Sequence, residues 1–428
     1  MDNNNILECL RLSSDGSGIG YINGRATFVA GLLPGEIGEV EVCETKKKWQ
    51  RACLLTIIKP SALRQAAPCP VFPACGGCRL QHTTYEETLL WKQRWVEDAL
   101  QRIGKVQAAV NPVLGMTFPW RYRNKARLHR AAGAEWGYYR EKSNILVSFS
   151  DCLLLSERMN RWIRLLKKQL ADGYPEIHTL ILRENTRGEG LLLLEGLPAR
   201  LSNLRQGLEW ADLAREGLRS VWAGYSRNSP ELLWGDDVFT QTIFDLTFKV
   251  SPESFLQVNS LQTEVLYKQV LNWAGLSGKE TVWDLYAGIG TLTLLLASRA
   301  GKVTGIEENS SAVKDARQNY VANSALLANC QVEFLQGKVE SQIRKLPEKP
   351  DVVVLDPPRA GIHPQVGQSL LEIKPQRLIY VSCEPGTLAR DLGMLTRGGY
   401  RVTGVQPVDM FPWTEHVETV VLMSRVEE

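Results

Sequence analysis

From about residue 252 onward, the chain alternates between strand-like apolar runs, glycine-rich turns and helical patterns. The strand candidates, in chain order, are "TVWDLY", "KVTGIE", "VEFLQG", "DVVVLD", "RLIYVSC", "YRVTGVQPVDMF" and "VETVVLMSRV". Helical patterns separate the first five runs, and parallel neighbouring strands need such crossover helices between them. The sequence therefore predicts an α/β, Rossmann-like domain over residues 251–428, built on a doubly wound parallel sheet with an antiparallel pair at its end.

The rest of the chain divides into two further predicted domains. A chain of 428 residues is too long for one hydrophobic core and predicts two or three domains. Short alternating runs between glycine-rich turns predict a small all-β barrel over residues 1–59. Residues 60–250 mix strand-like runs with the helical pattern "SERMNRWIRLLKKQL" and predict an α+β domain.

A first helix of the central region is predicted after Thr84. Glu87 lies three residues further on and completes the signature of a capping box. An apolar stripe at helical spacing follows, formed by Leu89, Val96, Leu100 and Ile103.

Composition narrows the class of protein. A net charge of +3 is too small to indicate nucleic-acid binding by itself. The longest apolar runs, "GLLLLEGL" and "LTLLLAS", are shorter than the ~18 residues of a membrane helix, and the N-terminus lacks a signal-peptide pattern. We therefore expect a cytoplasmic protein without membrane association. The nine cysteines are an odd number, which argues against a disulfide scaffold and for metal binding or catalysis.

The first strand–turn–helix unit of the C-terminal region, "VWDLYAGIGTLTLLLAS", has features of a nucleoside-binding turn. Gly288 and Gly290 follow the strand and open the helix, where backbone N–H groups can approach a ligand. Asp284 precedes this turn, and Glu307 ends the next strand, where a carboxylate can accept hydrogen bonds from both ribose hydroxyls. The third glycine of a dinucleotide fingerprint is absent, because position 293 is Thr. The pattern favours a nucleoside with a short charged tail, such as S-adenosylmethionine; a tight turn that binds nothing is the alternative.

Two more strand ends carry polar groups that would meet in the same crevice. Asp356 ends the run "DVVVLD" before two prolines, and Cys383 ends "RLIYVSC". The helix that begins near Pro385 would favour the thiolate of Cys383 through its N-terminal N–H groups. A catalytic nucleophile and a small buried thiol in the core are both open interpretations of Cys383, because free cysteines are commonly buried.

A second group of cysteines has the spacing of metal ligands. Cys69, Cys75 and Cys78 follow a C-x5-C-x2-C pattern, and Cys152 is the best remaining candidate for a fourth ligand. Ligation by thiolates alone suits an iron–sulfur cluster or zinc, and the spacing does not distinguish them. Thiols without any metal are the alternative.

A basic segment lies in the central region, within "PWRYRNKARLHRAAGAEWGYYREK". If "RYRNKARLH" is one strand, a single face carries Arg121, Arg123, Lys125, Arg127 and His129. Basic side chains with interleaved aromatic residues suit phosphate contacts and base stacking in single-stranded or looped RNA. A solvated strand face without a partner is the alternative. "KKKWQR" at 46–51 is a weaker second basic patch.

Over nearly its whole length the chain resembles the S-adenosylmethionine-dependent RNA uracil-5-methyltransferases, which make 5-methyluridine in bacterial 23S rRNA and in tRNA. Residues 1–59, with "DGSGIGY" and "VAGLLPGE", resemble a TRAM domain. "CPVFPACGGCRLQH" resembles the iron–sulfur motif of the family, which implies a 4Fe–4S cluster on Cys69, Cys75, Cys78 and Cys152. The catalytic-domain motifs occur in the family order: "SFLQVN", "DLYAGIGTLTL", "GIEEN", "DPPRAG", "YVSCEPGTLARDL" and "DMFPWTEHVETVVLM".

The resemblance implies roles for individual residues. Cys383 would be the nucleophile, and Glu418 in "HVETVV" would be the base. The residues implied in binding S-adenosylmethionine are Gln257, Tyr286, Gly288, Gly290, Glu307 and Asp356. The implied substrate is RNA, with 23S rRNA favoured and tRNA possible, and no obligate protein partner is expected.

The implied chemistry needs a thiol and a base. Uracil C5 is a weak nucleophile, but addition of a thiolate to C6 creates an enolate whose C5 can accept a methyl group. A base then removes the C5 proton, so that the thiolate leaves by elimination. The target base must be flipped out of its stack to reach such a pocket.

Three positions depart from the usual family pattern. Ala287 stands where many members have Cys, Thr291 replaces an Asn, and Glu384 replaces the Asn that usually follows the nucleophile. A carboxylate facing Cys383 would raise the pKa of the thiol, so we expect Glu384 to face away from it.

Three other classes of protein share part of these features. Radical S-adenosylmethionine enzymes have C-x3-C-x2-C cluster motifs and barrel folds, whereas this chain has C-x5-C-x2-C and a predicted doubly wound sheet. RNA cytosine-5-methyltransferases have an additional Cys where this chain has Pro358. A non-catalytic RNA-binding module would not need Cys383 and Glu418 in one pocket.

Overall fold

The computed structural model describes residues 4–131, 135–171, 174–196, 209–225 and 228–426. Over these residues the strands form three large sheets and one separate hairpin, β14–β15. The strands are β1 Asn4–Glu8, β2 Arg11–Leu12, β3 Gly18–Ile22, β4 Arg25–Val29, β5 Ile37–Thr45, β6 Trp49–Lys59, β7 Lys125–Arg130, β8 Trp136–Tyr139, β9 Leu146–Ser148, β10 Ile177–Glu184, β11 Gly190–Gly196, β12 Leu218–Tyr225, β13 Asn228–Gly235, β14 Thr240–Ile243, β15 Leu246–Lys249, β16 Thr281–Leu285, β17 Lys302–Glu307, β18 Gln331–Gln336, β19 Val352–Leu355, β20 Arg377–Ser382, β21 Tyr400–Val408 and β22 Glu418–Arg425.

Helices connect the strands of the central and C-terminal regions. They are α1 Tyr85–Ala99, α2 Glu157–Gln169, α3 Trp210–Arg215, α4 Ser260–Ala274, α5 Thr291–Ala297, α6 Ser310–Ala322, α7 Val339–Gln342, α8 Pro364–Ile373 and α9 Pro385–Arg397, with a π-helical turn at Leu100–Gly104 and 3-10 turns at Ser324–Leu327 and Ile343–Lys345. None of the helices in the described ranges is both long and apolar enough to cross a membrane.

The N-terminal sheet has the strand order β1-β5-β6-β4-β3-β2. Its neighbours pair antiparallel except β4 and β6, which are parallel. Side chains on one face of the sheet pack in the core, and those on the other face point to solvent. The buried apolar side chains include Leu7, Val29, Leu32 and Val40. The predicted all-β character of the N-terminal region is therefore confirmed over the described residues 4–59.

The central sheet has the order β13-β12-β11-β10-β7-β8-β9, and helix α2 covers it. Ser156 caps α2, because its hydroxyl oxygen accepts a hydrogen bond of 3.0 Å from the N–H of Met159. The buried face of α2 follows helical spacing through Met159, Trp162, Ile163 and Leu166. A mixed sheet with a helix on it confirms the predicted α+β character of this region.

The C-terminal sheet has the order β18-β17-β16-β19-β20-β22-β21. The first five strands in this order are parallel, and β22 pairs antiparallel with both β20 and β21. Two apolar cores, one on each face, cover it. The predicted doubly wound sheet with an antiparallel pair is confirmed. Its strand order reverses between β16 and β19, which is where such sheets open a crevice at the strands' carboxyl ends.

Two stretches of the 60–250 segment pack on the C-terminal sheet. Val96 of α1 and Leu100 lie in the same core as Leu388 of α9. In the β14–β15 hairpin, the N–H of Lys249 donates a hydrogen bond of 2.7 Å to the Asn319 side chain on α6. The C-terminal domain is thus completed by residues that precede it in sequence.

Helix α1 differs from its sequence prediction at both ends. Thr84 occupies the N-cap position but its side chain makes no capping hydrogen bond, so the predicted capping box does not form. Ile103, predicted to continue the buried stripe, is 55% exposed. The cause is the π-helical turn after Ala99, which changes the angular spacing of side chains. This turn brings Gly104 against α9, where an added Cβ would lie 2.4 Å from the Ala389 carbonyl oxygen.

Candidate active site

A cavity of about 1250 Å³ opens at the carboxyl ends of the parallel strands β16, β17, β19 and β20. Most residues that the sequence or the resemblance placed in a pocket line this cavity together: Gln257, Tyr286, Gly288, Glu307, Asp356, Cys383 and Glu418. They are brought together because parallel strands end at the same edge of the sheet. The antiparallel strand β22 contributes Glu418 from its first residue.

One side of the cavity is a carboxylate held by backbone donors. The N–H of Gly288 donates to one carboxylate oxygen of Glu307 at 3.0 Å, and the N–H of Asn309 donates to the other at 2.8 Å. Gly288 has φ +55°, and a Cβ at this position would meet nothing within 4 Å. The turn is therefore open toward the cavity, and Glu307 is oriented before any ligand binds.

Gly290 is not among the residues that line the cavity, and the role in cofactor binding implied for it stays a prediction. It is the N-cap of α5 with φ +81°, a left-handed conformation that favours glycine. A Cβ there would lie 2.9 Å from the ring of Phe334. Its function in the turn is thus conformational and steric. Asp284 is also behind the cavity wall, where it accepts a hydrogen bond of 2.5 Å from Thr293.

Tyr286 and Gln257 border the cavity from two different segments. Tyr286 has φ +74°, which is unfavourable for a bulky side chain and persists only where its surroundings fix it. Its N–H and that of Ala287 both donate to the carbonyl of Ile306 at 2.9 Å. Gln257 is 6% exposed, and its carbonyl accepts a hydrogen bond of 3.2 Å from Asn124 of the central region.

Cys383 follows β20 and precedes α9, with its side chain partly exposed in the cavity. Burial, and after it the charge of the nearby Glu418 carboxylate, raise the pKa of this thiol to about 11. The guanidinium of Arg359 acts in the opposite direction through its charge and a hydrogen bond to the sulfur. Glu384 is the N-cap of α9 and accepts a hydrogen bond of 3.4 Å from the N–H of Gly386. The thiol is protonated at neutral pH, with a cation beside it that stabilises the thiolate.

Sequence reasoning missed Arg359. It lies in the quoted run "DPPRAG", three residues after Asp356, on the loop that leaves β19. The signal that could have found it is chemical, since a thiolate nucleophile needs a positive charge nearby and this loop leaves the same sheet edge.

A buried and a half-buried carboxyl group, those of Glu418 and Asp356, accompany the thiol. Glu418 is 4% exposed, and burial raises its pKa to about 8, with a further contribution from the charge of Asp356. Burial likewise raises the pKa of Asp356 to about 7. Carboxyl groups with pKa values near neutrality can both accept and release a proton under physiological conditions.

The four cysteines of the second predicted site also lie together. Cys69, Cys75, Cys78 and Cys152 line one small cavity, together with Arg123 and Tyr138. Burial raises the pKa of Cys78 to about 12, and the other three thiols add to this effect through their proximity. Within the described residues, no group of three or more His, Cys, Asp or Glu side chains has the arrangement needed to hold a single metal ion.

The basic strand is shorter than predicted. Lys125, Arg127 and His129 do share one face of β7, because Ala126 and Leu128 are buried on the other.

Arg121 and Arg123 precede β7 and do not continue this face, so the predicted five-residue basic face is wrong at these positions. Arg121 has φ +55° and bonds Asp151 at 2.9 Å and the carbonyl of Cys152. Arg123 borders the cysteine cavity. The chain turns at Arg121 and Arg123 and passes beside the cysteines. These two residues therefore cannot lie on one continuous strand with β7.

A cation that sequence reasoning did not identify joins this strip. Arg183 on β10 is directly opposite Lys125 on β7 and is 3% exposed. Burial, and after it the charges of Arg183 and Arg127, lower the pKa of Lys125 to about 8. Arg183 donates a hydrogen bond to the carbonyl of Ser254, which lines the large cavity. The strip of Lys125, Arg127, His129 and Arg183, called the basic strip below, therefore adjoins the cavity.

Comparison with known proteins gives two family matches. Residues 242–426 match the tRNA (uracil-5-)-methyltransferase family, and residues 9–55 match the TRAM domain. The chain is 38% identical to an uncharacterized RNA methyltransferase of Halalkalibacterium halodurans, over 96% of this chain and 95% of that protein. It is also 38% identical to an RNA methyltransferase of Bacillus cereus, over 97% and 95%.

A solved structure is similar over nearly the whole chain. The tRNA (uracil-54, C5)-methyltransferase of Pyrococcus abyssi, in complex with S-adenosyl-L-homocysteine, aligns with a TM-score of 0.75 at 26% identity, covering 97% of this chain and 99% of that one. The N-terminal sheet and the doubly wound sheet agree with these matches. The chain belongs to the tRNA (uracil-5-)-methyltransferase family and is an RNA methyltransferase.

Proposed function

We propose that this protein transfers the methyl group of S-adenosylmethionine to C5 of a uridine in RNA, through a covalent bond between Cys383 and C6 of the uracil. The observation that carries this proposal is the single cavity that holds Cys383, Glu418 and Arg359 together with the oriented carboxylate of Glu307. A thiol, a buried carboxyl group and a nucleoside-type site are the three parts that the chemistry requires.

The cofactor would occupy the side of the cavity formed by Glu307, Gly288, Tyr286 and Gln257. Bound S-adenosylmethionine would supply an electrophilic methyl group. Glu307, fixed by its two backbone donors, can accept hydrogen bonds from ribose hydroxyls. The complex of the Pyrococcus abyssi enzyme with S-adenosyl-L-homocysteine supports this assignment.

Cys383 would act on the uracil ring. Its sulfur forms a bond to C6 as the C5–C6 double bond opens, and the electron pair moves to O4 as an enolate. Because the thiol pKa is about 11, its proton must pass to a base as the addition occurs, and the contact with Arg359 lowers the cost of the thiolate. The carboxylate of Asp356, which lines the same cavity and has a pKa of about 7, can accept this proton. C5 then carries the negative charge needed to accept the methyl group.

Glu418 would complete the turnover. After methylation C5 still holds its original proton, and removal of that proton lets the C6–S bond break with return of the thiolate. Glu418 can accept this proton, because its pKa of about 8 leaves part of the population ionised at neutral pH. Asp356, with a pKa of about 7, lines the same cavity and keeps the pKa of Glu418 high.

RNA would approach across the basic strip. Lys125 is partly buried and forms no ion pair with a carboxylate in the part of the chain that the structure describes, and the strip reaches Ser254 at the edge of the cavity. A phosphate group beside a flipped uridine would pair with the Lys125 ammonium. We propose 23S rRNA as the substrate, because the TRAM domain and the full cysteine motif resemble the ribosomal enzymes. tRNA is the second candidate, favoured by the similarity to the Pyrococcus abyssi tRNA enzyme.

The four cysteines Cys69, Cys75, Cys78 and Cys152 would hold a 4Fe–4S cluster. They line one small cavity and are all thiols, the ligand type that such clusters use. A cluster spreads its four ligands over several iron atoms, so the arrangement of its ligands differs from the site of a single ion. Anaerobic purification, followed by iron and sulfide analysis of the wild type and Cys78→Ser, tests this assignment.

The decisive experiment uses anaerobically purified protein, labelled S-adenosylmethionine, and unmodified 23S rRNA and tRNA transcripts. We expect label as 5-methyluridine, mapped by nuclease protection and mass spectrometry, in 23S rRNA. Label in tRNA alone would show that the substrate is tRNA and not 23S rRNA. Label in neither RNA would overturn the proposed activity.

RNA carrying 5-fluorouridine tests the covalent step directly. Fluorine at C5 cannot be removed as a proton, so elimination stops and the protein should remain bound to RNA through denaturing electrophoresis. A complex with wild type and none with Cys383→Ala supports the adduct.

A further inference from the structure

Beneath the active-site cavity lies an ion pair fully removed from solvent. Lys92 of α1 and Asp409, the residue after β21, both have side chains that are 0% exposed. The Lys92 ammonium donates to Oδ1 of Asp409 at 2.6 Å and to the carbonyl of Phe411 at 2.9 Å. The Tyr85 hydroxyl donates to Oδ2 of Asp409 at 2.7 Å. Both carboxylate oxygens thus have partners.

Stability alone does not account for this arrangement. Removing two charges from water costs several kcal/mol per ion, and well-packed apolar residues of similar volume are commonly as stable as a buried pair. What a buried pair does supply is a defined geometry, because either charge alone is strongly unfavourable. The Lys92–Asp409 pair is therefore expected to hold a particular part of the molecule in place.

The pair holds the segment 409–417, which joins β21 to β22. Side chains of other elements donate hydrogen bonds to its successive backbone carbonyl groups. Gln262 donates to Asp409 at 3.1 Å, Asn259 donates to Met410 at 3.1 Å, and Lys92 donates to Phe411.

The next two residues of the segment are held from the central region. Tyr122 donates to the carbonyl of Pro412 at 3.1 Å, and the indole N–H of Trp413 donates to Pro119 at 2.9 Å. Trp413 has φ +67°, a strained conformation that persists only where the surroundings determine it.

This segment bears directly on the cavity at two points. Phe411 lines the cavity, and the segment is followed directly by Glu418, the first residue of β22. Lys92 is the only cation bonded to a backbone carbonyl of segment 409–417 in the described part of the chain. It lies outside the cavity lining and touches neither of the proposed reacting groups.

We propose that Lys92 is a positioning residue for methyl transfer. By binding Asp409 and the Phe411 carbonyl, it fixes the Phe411 side chain and the backbone that leads to Glu418, and so orients both residues relative to the uracil ring. The inference rests on the proposed function. Lys92 contributes no proton and contacts no substrate, so its effect should fall on the catalytic rate and spare cofactor binding.

The test compares variants that keep the buried site neutral. In Lys92→Gln/Asp409→Asn both charges are removed together, so no unpaired buried charge remains. Arg94→Gln, an exposed cation on the same helix, is the matched control. We expect the double variant to bind S-adenosyl-L-homocysteine as the wild type does, while kcat on RNA falls by about tenfold or more. KM for RNA should change little, and Arg94→Gln should leave both unchanged.

A second measurement keeps the outcome clear if the double variant does not fold. Tyr85→Phe removes one hydrogen bond to Asp409 without altering charge, and we expect slower adduct formation with 5-fluorouridine RNA at unchanged S-adenosyl-L-homocysteine affinity. Unchanged kcat in a folded double variant, or an unchanged adduct rate in Tyr85→Phe, overturns the positioning role. Wild-type protein that methylates neither RNA overturns the proposed function instead, which keeps the two failures distinct.

Discussion

Cys383 and Arg359 form a thiol–guanidinium contact in the cavity, and the consequences of removing the thiol are specific. We expect Cys383→Ala to lower methylation by about three orders of magnitude or more, because C5 is not activated without the C6–S bond. Binding of S-adenosyl-L-homocysteine, measured by calorimetry, should be retained. Cys53→Ala, an exposed cysteine of the N-terminal sheet, is the control. Methylation by Cys383→Ala at the wild-type rate would contradict a covalent mechanism.

Glu418 gives a prediction about intermediates. Glu418→Gln keeps the size of the side chain but removes the base, so the C5 proton stays and elimination fails. With unmodified RNA and S-adenosylmethionine, this variant should accumulate a covalent RNA complex that the wild type does not. The complex is measured by denaturing electrophoresis, with Cys383→Ala/Glu418→Gln as the control that should form none.

The same residue gives a prediction about pH. The pKa of Glu418 is raised from its ordinary 4.5 to about 8 in the folded protein, so the folded state keeps a proton that the unfolded chain loses. The associated stability is fully present below about pH 4.5 and is lost as the pH rises through about 8. Thermal unfolding from pH 5 to 9 should therefore show a smaller decline for Glu418→Gln than for wild type. An equal decline in both proteins would argue against the raised pKa.

At the residue scale, sequence reasoning was strongest where topology determined proximity. The residues Asp356, Cys383 and Glu307 each end a strand, and the strand-end rule places them in one crevice. Glu418 came only from the family resemblance, because it begins a strand rather than ending one. Arg359 and Gly290 show the limit: the direction of a loop side chain and the side of a turn that faces a ligand depend on tertiary packing.

At the element scale, the basic strip makes a prediction about RNA affinity. Arg183 and Lys125 are cross-strand neighbours of like charge, an arrangement that is unfavourable without an anion. We expect Lys125→Gln to weaken RNA binding and to reduce the slope of log affinity against log salt concentration by about 0.7, the effect of one lost phosphate contact on a single strand. Lys279→Gln, an exposed cation before β16 at the opposite end of the strands, is the control.

Fluorescence titrations at several salt concentrations measure this slope. Because the pKa of Lys125 is about 8, RNA affinity of the wild type should also decline as the pH rises above 8, and this decline should be weaker in Lys125→Gln. An unchanged salt slope in Lys125→Gln would remove this residue from the RNA interface.

Helices and strands were predicted correctly where the apolar periodicity and the turn residues indicated the same element. All seven C-terminal strands and helix α2 lie where the apolar pattern placed them. The failures share one cause, which is that a tertiary contact overrides a local pattern. The approach of Gly104 to Ala389 requires the π-helical turn that exposes Ile103. The turn at Arg121 toward Asp151 ends the basic face before β7 begins.

At the scale of the whole molecule, contacts remote in sequence decide how the parts join. Lys92 and Asp409 are 317 positions apart, and no local pattern indicates that they pair. The cysteine segment reaches the catalytic domain in the same place, because the N–H groups of Arg79 and Leu80 donate to the carbonyl of Trp413 at 2.9 and 3.1 Å. Segment 409–417 is therefore where the proposed cluster, α1 and the active site meet.

That connection predicts what loss of the proposed cluster does to catalysis. Cys78 directly precedes Arg79, so disorder of the cysteine segment should weaken the two hydrogen bonds to Trp413 and loosen Phe411. We expect Cys78→Ser, compared with Cys43→Ser as an exposed control, to lower the thermal midpoint and kcat on RNA. The affinity for S-adenosyl-L-homocysteine should change much less. Glu307 and Gly288 lie at the ends of β17 and β16, whereas segment 409–417 joins β21 and β22 toward the opposite edge of the sheet. Calorimetry and methylation assays on the same anaerobic preparations measure these effects. A Cys78→Ser protein that lacks iron yet keeps the wild-type kcat would show that the cluster segment and the active site are independent.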